Sequence, residues 1–176
     1  WIFYFNYQTT GCANPGSEPG SNTITGCTMR SSASNGANSS VYGSDFLLVE
    51  FNGAIPASYN VYFAGFDATN NASNSGVSIH HPSGDTKKIS TYTTTTTSRR
   101  YYSQLPDNSH WQVNWAPTFA NYGITEPGSS GAPLFHSNGR IMGKLSGGPS
   151  SCGAVAGDKN DYYGKLSYDW TSNGAA

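Results

Sequence analysis

The chain is 176 residues long, with only 11% charged residues, a formal net charge of -1 and no basic patch, which makes nucleic acid a poor candidate partner. No apolar run approaches the ~20 residues of a membrane-spanning helix, and no signal-peptide pattern is present. Aromatics at 14%, with 12 tyrosines and 21 glycines beside abundant Ser, Thr and Asn, favour short strands joined by tight turns over helices.

In chain order, residues 1–8 (WIFYFNYQ) read as an aromatic strand. Residues 11–38 read as a Gly/Ser/Asn-rich loop, broken by a short Thr/Met/Arg stretch at 28–30. Residues 45–51 (DFLLVEF) are expected to form a buried strand, 59–66 (YNVYFAGF) another, and 76–81 (GVSIHH) a third that stops at Pro82. Residues 88–97 are rich in β-formers. Residues 111–115 (WQVNW) alternate with period two, as a half-buried strand does. Segments 133–135, 140–145 and 162–170 supply the remaining strands. No stretch carries a 3.6-residue apolar period. Many short strands separated by turn signals predict an all-β sandwich or barrel. A junction between subdomains is expected near 70–75 or within 93–105.

Cys12, Cys27 and Cys152 make an odd count. Cys12 and Cys27 are spaced to close a short loop, which leaves Cys152 either a free thiol or bonded to a residue before Trp1.

The most informative segment is TEPGSSGAPLF, residues 125–135. A serine that attacks a carbonyl must stand exposed on a sharp turn, with backbone N–H groups aimed at the developing oxyanion. Glycine permits that path because it lacks a Cβ. Gly128 and Gly131 flank Ser129 and Ser130, and a strand resumes at Pro133 to support the turn. Four residues of Gly-Ser-Ser-Gly are also what an ordinary loop contains.

PGSSGAPLF resembles the signature around the serine of trypsin-like peptidases. Six other segments extend the resemblance to the bacterial lysyl endopeptidases: SDFLLVEFN (44–52), YFAGFD (62–67), VSIHHPSGDTKKIS (77–90), SHWQVNW (109–115), GKLSGGPSSC (143–152) and NDYYGKLSYDW (160–170). They occur in the family's order and span nearly the whole chain. The resemblance implies a two-barrel trypsin-like fold with its first barrel incomplete. Residues 1–75 would be the remainder of the N-terminal barrel and residues 76–176 the C-terminal barrel. It further implies Ser130 as nucleophile, Asp45 as the acid that orients a histidine, and the N–H groups of Gly128 and Ser130 as the oxyanion hole. Ser146, Gly147 and Gly148 would pair with the substrate backbone. Asp161 would be the carboxylate of the specificity pocket, favouring a cationic side chain, lysine in this branch. The family's cysteine at position 152 bonds to the extreme N-terminus. Two departures stand out: Ser129 precedes the nucleophile where trypsin has Asp, so no zymogen-type ion pair forms there, and Ser146 replaces a histidine, with Tyr101 or Tyr102 near a tryptophan position.

A serine hydroxyl needs a base. The family order is His, Asp, Ser, yet His80, His81, His110 and His136 all follow Asp45. The favoured expectation is that the catalytic histidine lies before Trp1 and that the chain alone is inactive. A pseudo-peptidase, a triad in subtilisin order and an extracellular β-rich binding module are the alternatives. The pair His80-His81 lacks further metal ligands at ligand spacing and reads as structural. The expected whole is a secreted, monomeric serine endopeptidase acting on protein or peptide substrates, with no cofactor, no metal, no nucleic acid and no membrane partner.

Overall fold

In a computed structural model, residues 1–33, 43–119 and 121–172 are described. The architecture is all-β with one terminal helix. Strands β1 (Ile2–Phe5) and β2 (Asn22–Thr25) form one antiparallel ribbon; β3 (Cys27–Ala33) and β4 (Phe46–Phe51) form a second. Gly26 joins the ribbons, its N–H donating to Trp1 O at 2.9 Å and its O accepting from Asn52 N–H at 3.3 Å. Phe51 lies edge-on to Phe3, centroids 4.7 Å apart, and Phe5 packs on Phe51 and Tyr59.

The remaining strands are β5 (Gly76–His80), β6 (Lys88–Tyr92), β7 (Thr97–Arg99), β8 (His110–Asn114), β9 (Pro133–His136), β10 (Ile141–Gly147) and β11 (Asn160–Lys165). They form one antiparallel sheet in the order β6-β5-β9-β10-β11-β8-β7. The sheet curls back on itself: just past β8, Ala116 N–H donates to Thr91 O of the first strand, β6, at 2.8 Å. Its concave face holds the core of Tyr92, Trp111, Val113, Trp115, Ile124, Leu134, Met142, Leu145 and Tyr163. The alternation Trp111, Val113, Trp115 puts all three indole or valine side chains on that face, as period two requires.

β10 departs from strict alternation. Its register with β9 shifts between Ile141 and Gly143, and with β11 between Leu145 and Gly147. Such bulges change the parity of a strand. Met142 and Leu145, three apart, therefore both reach the core, while Lys144 and Ser146 fall on the opposite face. On that face, His110, Gly164 and Lys144 stand in cross-strand register on β8, β11 and β10.

Four expectations are corrected. Residues 59–66 are not a strand: a 3-10 turn covers Ala57–Tyr59, only Phe66 makes a bridge, to Ile141, and Tyr62 and Phe63 are exposed. β4 is not buried, because as one half of a two-stranded ribbon it leaves Leu47 and Leu48 exposed. The loop over 11–38 contains β2 and the whole of β3; residues 34–38 lie outside the described residues. Finally, the last strand ends at Lys165 and the chain turns into α1 (Leu166–Ser172), which tucks Asp169 and Ser167 inward. Seven residues are too few for a helical period to register.

Candidate active site

The turn carrying Ser130 is held from both ends. Thr125 begins it, buried beside β11, and Pro133 opens β9 at its end. Gly131 N–H donates to Leu145 O at 2.8 Å and Leu145 N–H to Ala132 O at 2.9 Å, so β10 suspends the turn directly. Ser129 N–H donates to Glu126 O and Ala132 N–H to Ser129 O, both at 3.0 Å. Ser130 is exposed while Ser129 is buried. Gly128 has φ +96, and a Cβ there would press on Ser83 N at 3.3 Å and His81 O at 3.4 Å. A glycine is thus required for the sharp approach of the turn to the 81–84 loop, where Ser83 N–H donates to Pro127 O at 2.7 Å. Among the described residues, neither the Gly128 nor the Ser130 N–H donates to another protein group.

Asp45 sits at the entry to β4 with φ +62, a left-handed conformation that aspartate tolerates better than most residues. Its segment crosses the sheet over Gly164. A Cβ at Gly164 would lie 1.7 Å from Ser44 O, so only glycine admits this crossing. Lys144 Nζ donates to Ser44 Oγ at 2.8 Å and pairs with the Asp169 carboxylate, which also accepts from Ser44 Oγ. Burial pushes Asp169 up and Lys144 down, each opposed by the other's charge, and Asp45 lies within charge–charge reach of both. The residues next to Ser130 and Asp45, Gly131 and Ser44, are thereby both fastened to β10, at Leu145 and Lys144 respectively. Among the described residues no hydrogen bond joins the two, or joins Ser130 to a histidine.

Removing the lysine would strand a buried carboxylate, since the Lys144 and Asp169 side chains are only 16% and 7% exposed. Lys144→Ala is expected to cost about 3–5 kcal/mol in urea unfolding. The apolar double replacement Lys144→Met with Asp169→Leu should recover most of it, because both desolvation costs vanish together.

Asp161 is fully buried on β11. Its Oδ2 accepts from Trp115 Nε1 at 2.6 Å, Thr125 Oγ1 at 2.7 Å and Ser150 Oγ at 2.6 Å. One carboxylate oxygen thus ties β11 to the end of β8, to the start of the Ser130 turn and to the segment after β10. The other oxygen, Oδ1, has no partner among the described residues. It faces Gly148, where a Cβ would lie 2.3 Å away. Burial raises the pKa of Asp161 and the three donors lower it, with burial the larger cause. Beside it, Tyr101 stacks on Tyr162 with centroids 5.2 Å apart and packs at a tilt against Tyr102 at 4.0 Å. A Cβ on Gly147 would meet the Tyr101 hydroxyl oxygen at 2.8 Å. Ser146 Oγ is in contact with His110 Nε2 at 3.2 Å.

The four histidines are engaged elsewhere. His80 lies between Ser129 Oγ, 2.9 Å from Nδ1, and Ser90 Oγ, 2.8 Å from Nε2. His110, buried at the start of β8, contacts Ser109 Oγ at 2.7 Å; His81 Nδ1 donates to Asp85 O; and His136 Nδ1 accepts from Asn138 N–H. Burial lowers the pKa of His80 to about 4, helped by His81 and opposed by Glu126. It lowers that of His110 to about 3, helped by Lys144 and Lys165. Unfolded histidines bind protons near pH 6.5 while these two resist, so the stability held above that pH is lost as pH falls through 6.5 toward 4. The urea midpoint is expected to drop over that interval, and less so in a His110→Gln variant.

Cys12, Cys27 and Cys152 are all free thiols, so the short Cys12–Cys27 loop is not closed. Among the described residues no cluster of metal-ligating side chains occurs, and no helix is long and apolar enough to cross a membrane.

Sequence reasoning on the single segments did not reach Trp115, Thr125 and Ser150 around Asp161, the Ser44–Lys144–Asp169 network, or His80 beneath Ser129. Each joins residues from separate strands, turns or the helix, and no local spacing announces such contacts.

A family model described as lysyl endopeptidase, C-terminal domain, matches residues 1–164. The lysyl endopeptidase of Pseudomonas aeruginosa is 35% identical over 128 residues, covering 70% of this chain and 26% of the relative. The chain thus spans about a quarter of that relative's length. Among solved structures, the inactive form of a serine-to-alanine mutant of Rv3671c from M. tuberculosis aligns with a TM-score of 0.49 and 13% identity, covering 84% of this chain and 62% of that one. On the strength of the family match across most of its length, the chain belongs to the lysyl endopeptidase family of serine peptidases, within its C-terminal domain.

Proposed function

We propose that this chain is the larger part of the catalytic unit of a secreted endopeptidase that cuts after basic residues, lysine foremost. Residues 1–75 form what is present of a first barrel, and residues 76–176 a second. Ser130 Oγ attacks the scissile carbonyl. Asp45 holds a histidine, supplied by a part of the intact protein outside this chain, in the tautomer that accepts the Ser130 proton. The N–H groups of Gly128 and Ser130 receive the oxyanion, where one donor is worth ~2.7–4 kcal/mol of barrier. The substrate backbone lies along Ser146, Gly147 and Gly148, and its ammonium reaches Asp161 Oδ1. Water then releases the acyl group. No step calls for a metal or organic cofactor, and the protein acts as a monomer on peptide chains.

The observation that carries this reading is the pairing of an exposed serine, whose own N–H and that of Gly128 are both uncommitted among the described residues, with a buried carboxylate oxygen that has no partner there, linked through Thr125. A buried unpaired acceptor is costly unless a ligand completes it. The test is a cleavage profile of the intact protein on a peptide library. Cuts concentrated after lysine support the proposal; cuts after apolar residues, or none, reject it. The chain by itself is expected not to react with a fluorophosphonate probe.

A further inference from the structure

We propose that His80 is a positioning residue that sets the oxyanion-binding turn, acting through the hydroxyl of Ser129; the proposal rests on the reading of Ser130 as nucleophile. The two N–H groups that flank Ser129 in sequence, those of Gly128 and Ser130, are separated only by the backbone rotations at residues 128 and 129. Their convergence on one point therefore depends on what holds Ser129. Every polar group of Ser129 is tied: its N–H to Glu126 O at 3.0 Å, its O to Ala132 N–H at 3.0 Å, and its Oγ to His80 Nδ1 at 2.9 Å and to the Glu126 N–H at 3.5 Å. The bonds to Glu126 and Ala132 lie within the turn and move with it. Among these ties the one to His80 reaches outside, to β5.

The imidazole itself is braced. His80 is 2% exposed, and its far nitrogen, Nε2, is 2.8 Å from Ser90 Oγ on β6. Ser90 and Ser129 are 0% and 2% exposed. The result is a continuous buried line from β6 through β5 to the turn, Ser90–His80–Ser129. A neutral imidazole suits it, donating from one nitrogen and accepting at the other, and each hydroxyl can take the complementary role. The low pKa of His80, caused first by burial, keeps it neutral across the working range of a peptidase. In trypsin the residue before the nucleophile is a carboxylate; here Ser129 has no charge, and a neutral partner is what the buried site accommodates without an ion to desolvate.

Four variants of the intact protein test this: His80→Leu, His80→Asn, Ser129→Ala, and His80→Leu combined with Ser129→Ala. Asparagine places an amide group near the Nδ1 position and preserves the bond to Ser129. On a lysyl ester, His80→Leu and Ser129→Ala are each expected to lower kcat roughly 10- to 100-fold with KM nearly unchanged, because misplaced donors fail the transition state more than the ground state. His80→Asn should stay within about tenfold of the parent, and the double variant should be no worse than the poorer single. An unchanged kcat in folded His80→Leu, a loss confined to KM, or single losses that multiply in the double variant would each overturn the proposal.

Amide hydrogen exchange at Gly128 and Ser130 gives a readout that needs no catalysis. Faster exchange there in His80→Leu, with β10 and β11 unaltered, supports the proposal, and unchanged exchange rejects it. Should Ser130 prove not to be the nucleophile, the exchange measurement still decides whether His80 holds the turn. Ser129→Ala serves where His80→Leu unfolds.

Discussion

Ser130→Ala is expected to abolish peptide-bond cleavage by the intact protein, lowering kcat by about 10⁶, the scale seen when the nucleophile of a triad is removed. What remains should be the residual catalysis of an oxyanion hole without a nucleophile, ~10³–10⁴ over water. The structure makes this a clean experiment. Ser130 is exposed, its hydroxyl is not used by any hydrogen bond among the described residues, and the turn is held by the backbone of Gly131, Ser129 and Ala132 rather than by this side chain. Stability should therefore stay within about 0.5 kcal/mol of the parent. Fluorophosphonate labelling should vanish in the variant. Retained turnover after lysine would remove Ser130 from the mechanism and with it the roles given to Gly128 and Asp45.

Asp161→Asn should produce the second-largest effect, and one confined to cationic substrates. Asparagine has the shape of aspartate, so its oxygen keeps the acceptor position now serving Trp115, Thr125 and Ser150. Its amide nitrogen then replaces Oδ1, presenting two N–H donors where the proposed function brings the substrate ammonium. Losing one partner of a buried, hydrogen-bonded charge pair costs roughly 2–5 kcal/mol, a fall of about 30- to 4000-fold in kcat/KM for lysyl esters. Esters with an uncharged side chain of similar length should lose far less.

The pH dependence has a definite sign. Burial raises the Asp161 pKa, so the free pocket takes up a proton at a higher pH than an exposed aspartate would. KM for lysyl substrates should rise as pH falls into that range, and the dependence should be absent in Asp161→Asn. A parallel loss for charged and uncharged substrates would mean that Asp161 holds the loops together without meeting the ligand.

Much of the fold was legible because its strands carry local signals. Residues 111–115 alternate, and the observed β8 puts Trp111 and Val113 into the core on that alternation, with Trp115 continuing it just beyond the strand. The apolar run at 45–51 did become a strand, but burial did not follow. Hydrophobicity states what a segment can bury, whereas Leu47 and Leu48 stay exposed because β4 has a single neighbour. The aromatic stretch at 59–66 misled in the opposite way: its residues favour strands, yet backbone pairing there is limited to one bridge and its two flanking bonds to Ile141. The short helix α1 begins inside a segment whose Tyr and Trp content reads as β, and it carries Asp169 inward to Lys144.

By itself the sequence determined the chemistry available: a glycine-bounded serine, a carboxylate preceding a strand, a second carboxylate in a run of β-formers, and no histidine ahead of Asp45. These are readable because turn geometry, strand period and family motifs are encoded in neighbouring residues. Only the tertiary structure decided which groups meet. It set one oxygen of Asp161 in a ring of three donors and left the other bare. It laid Ser44 over Gly164, and it put His80 under Ser129, 49 positions away. Those contacts depend on the bulges of β10 and on the curl that brings β6 back to the end of β8, and such register is settled by packing over the whole sheet, not by any one strand.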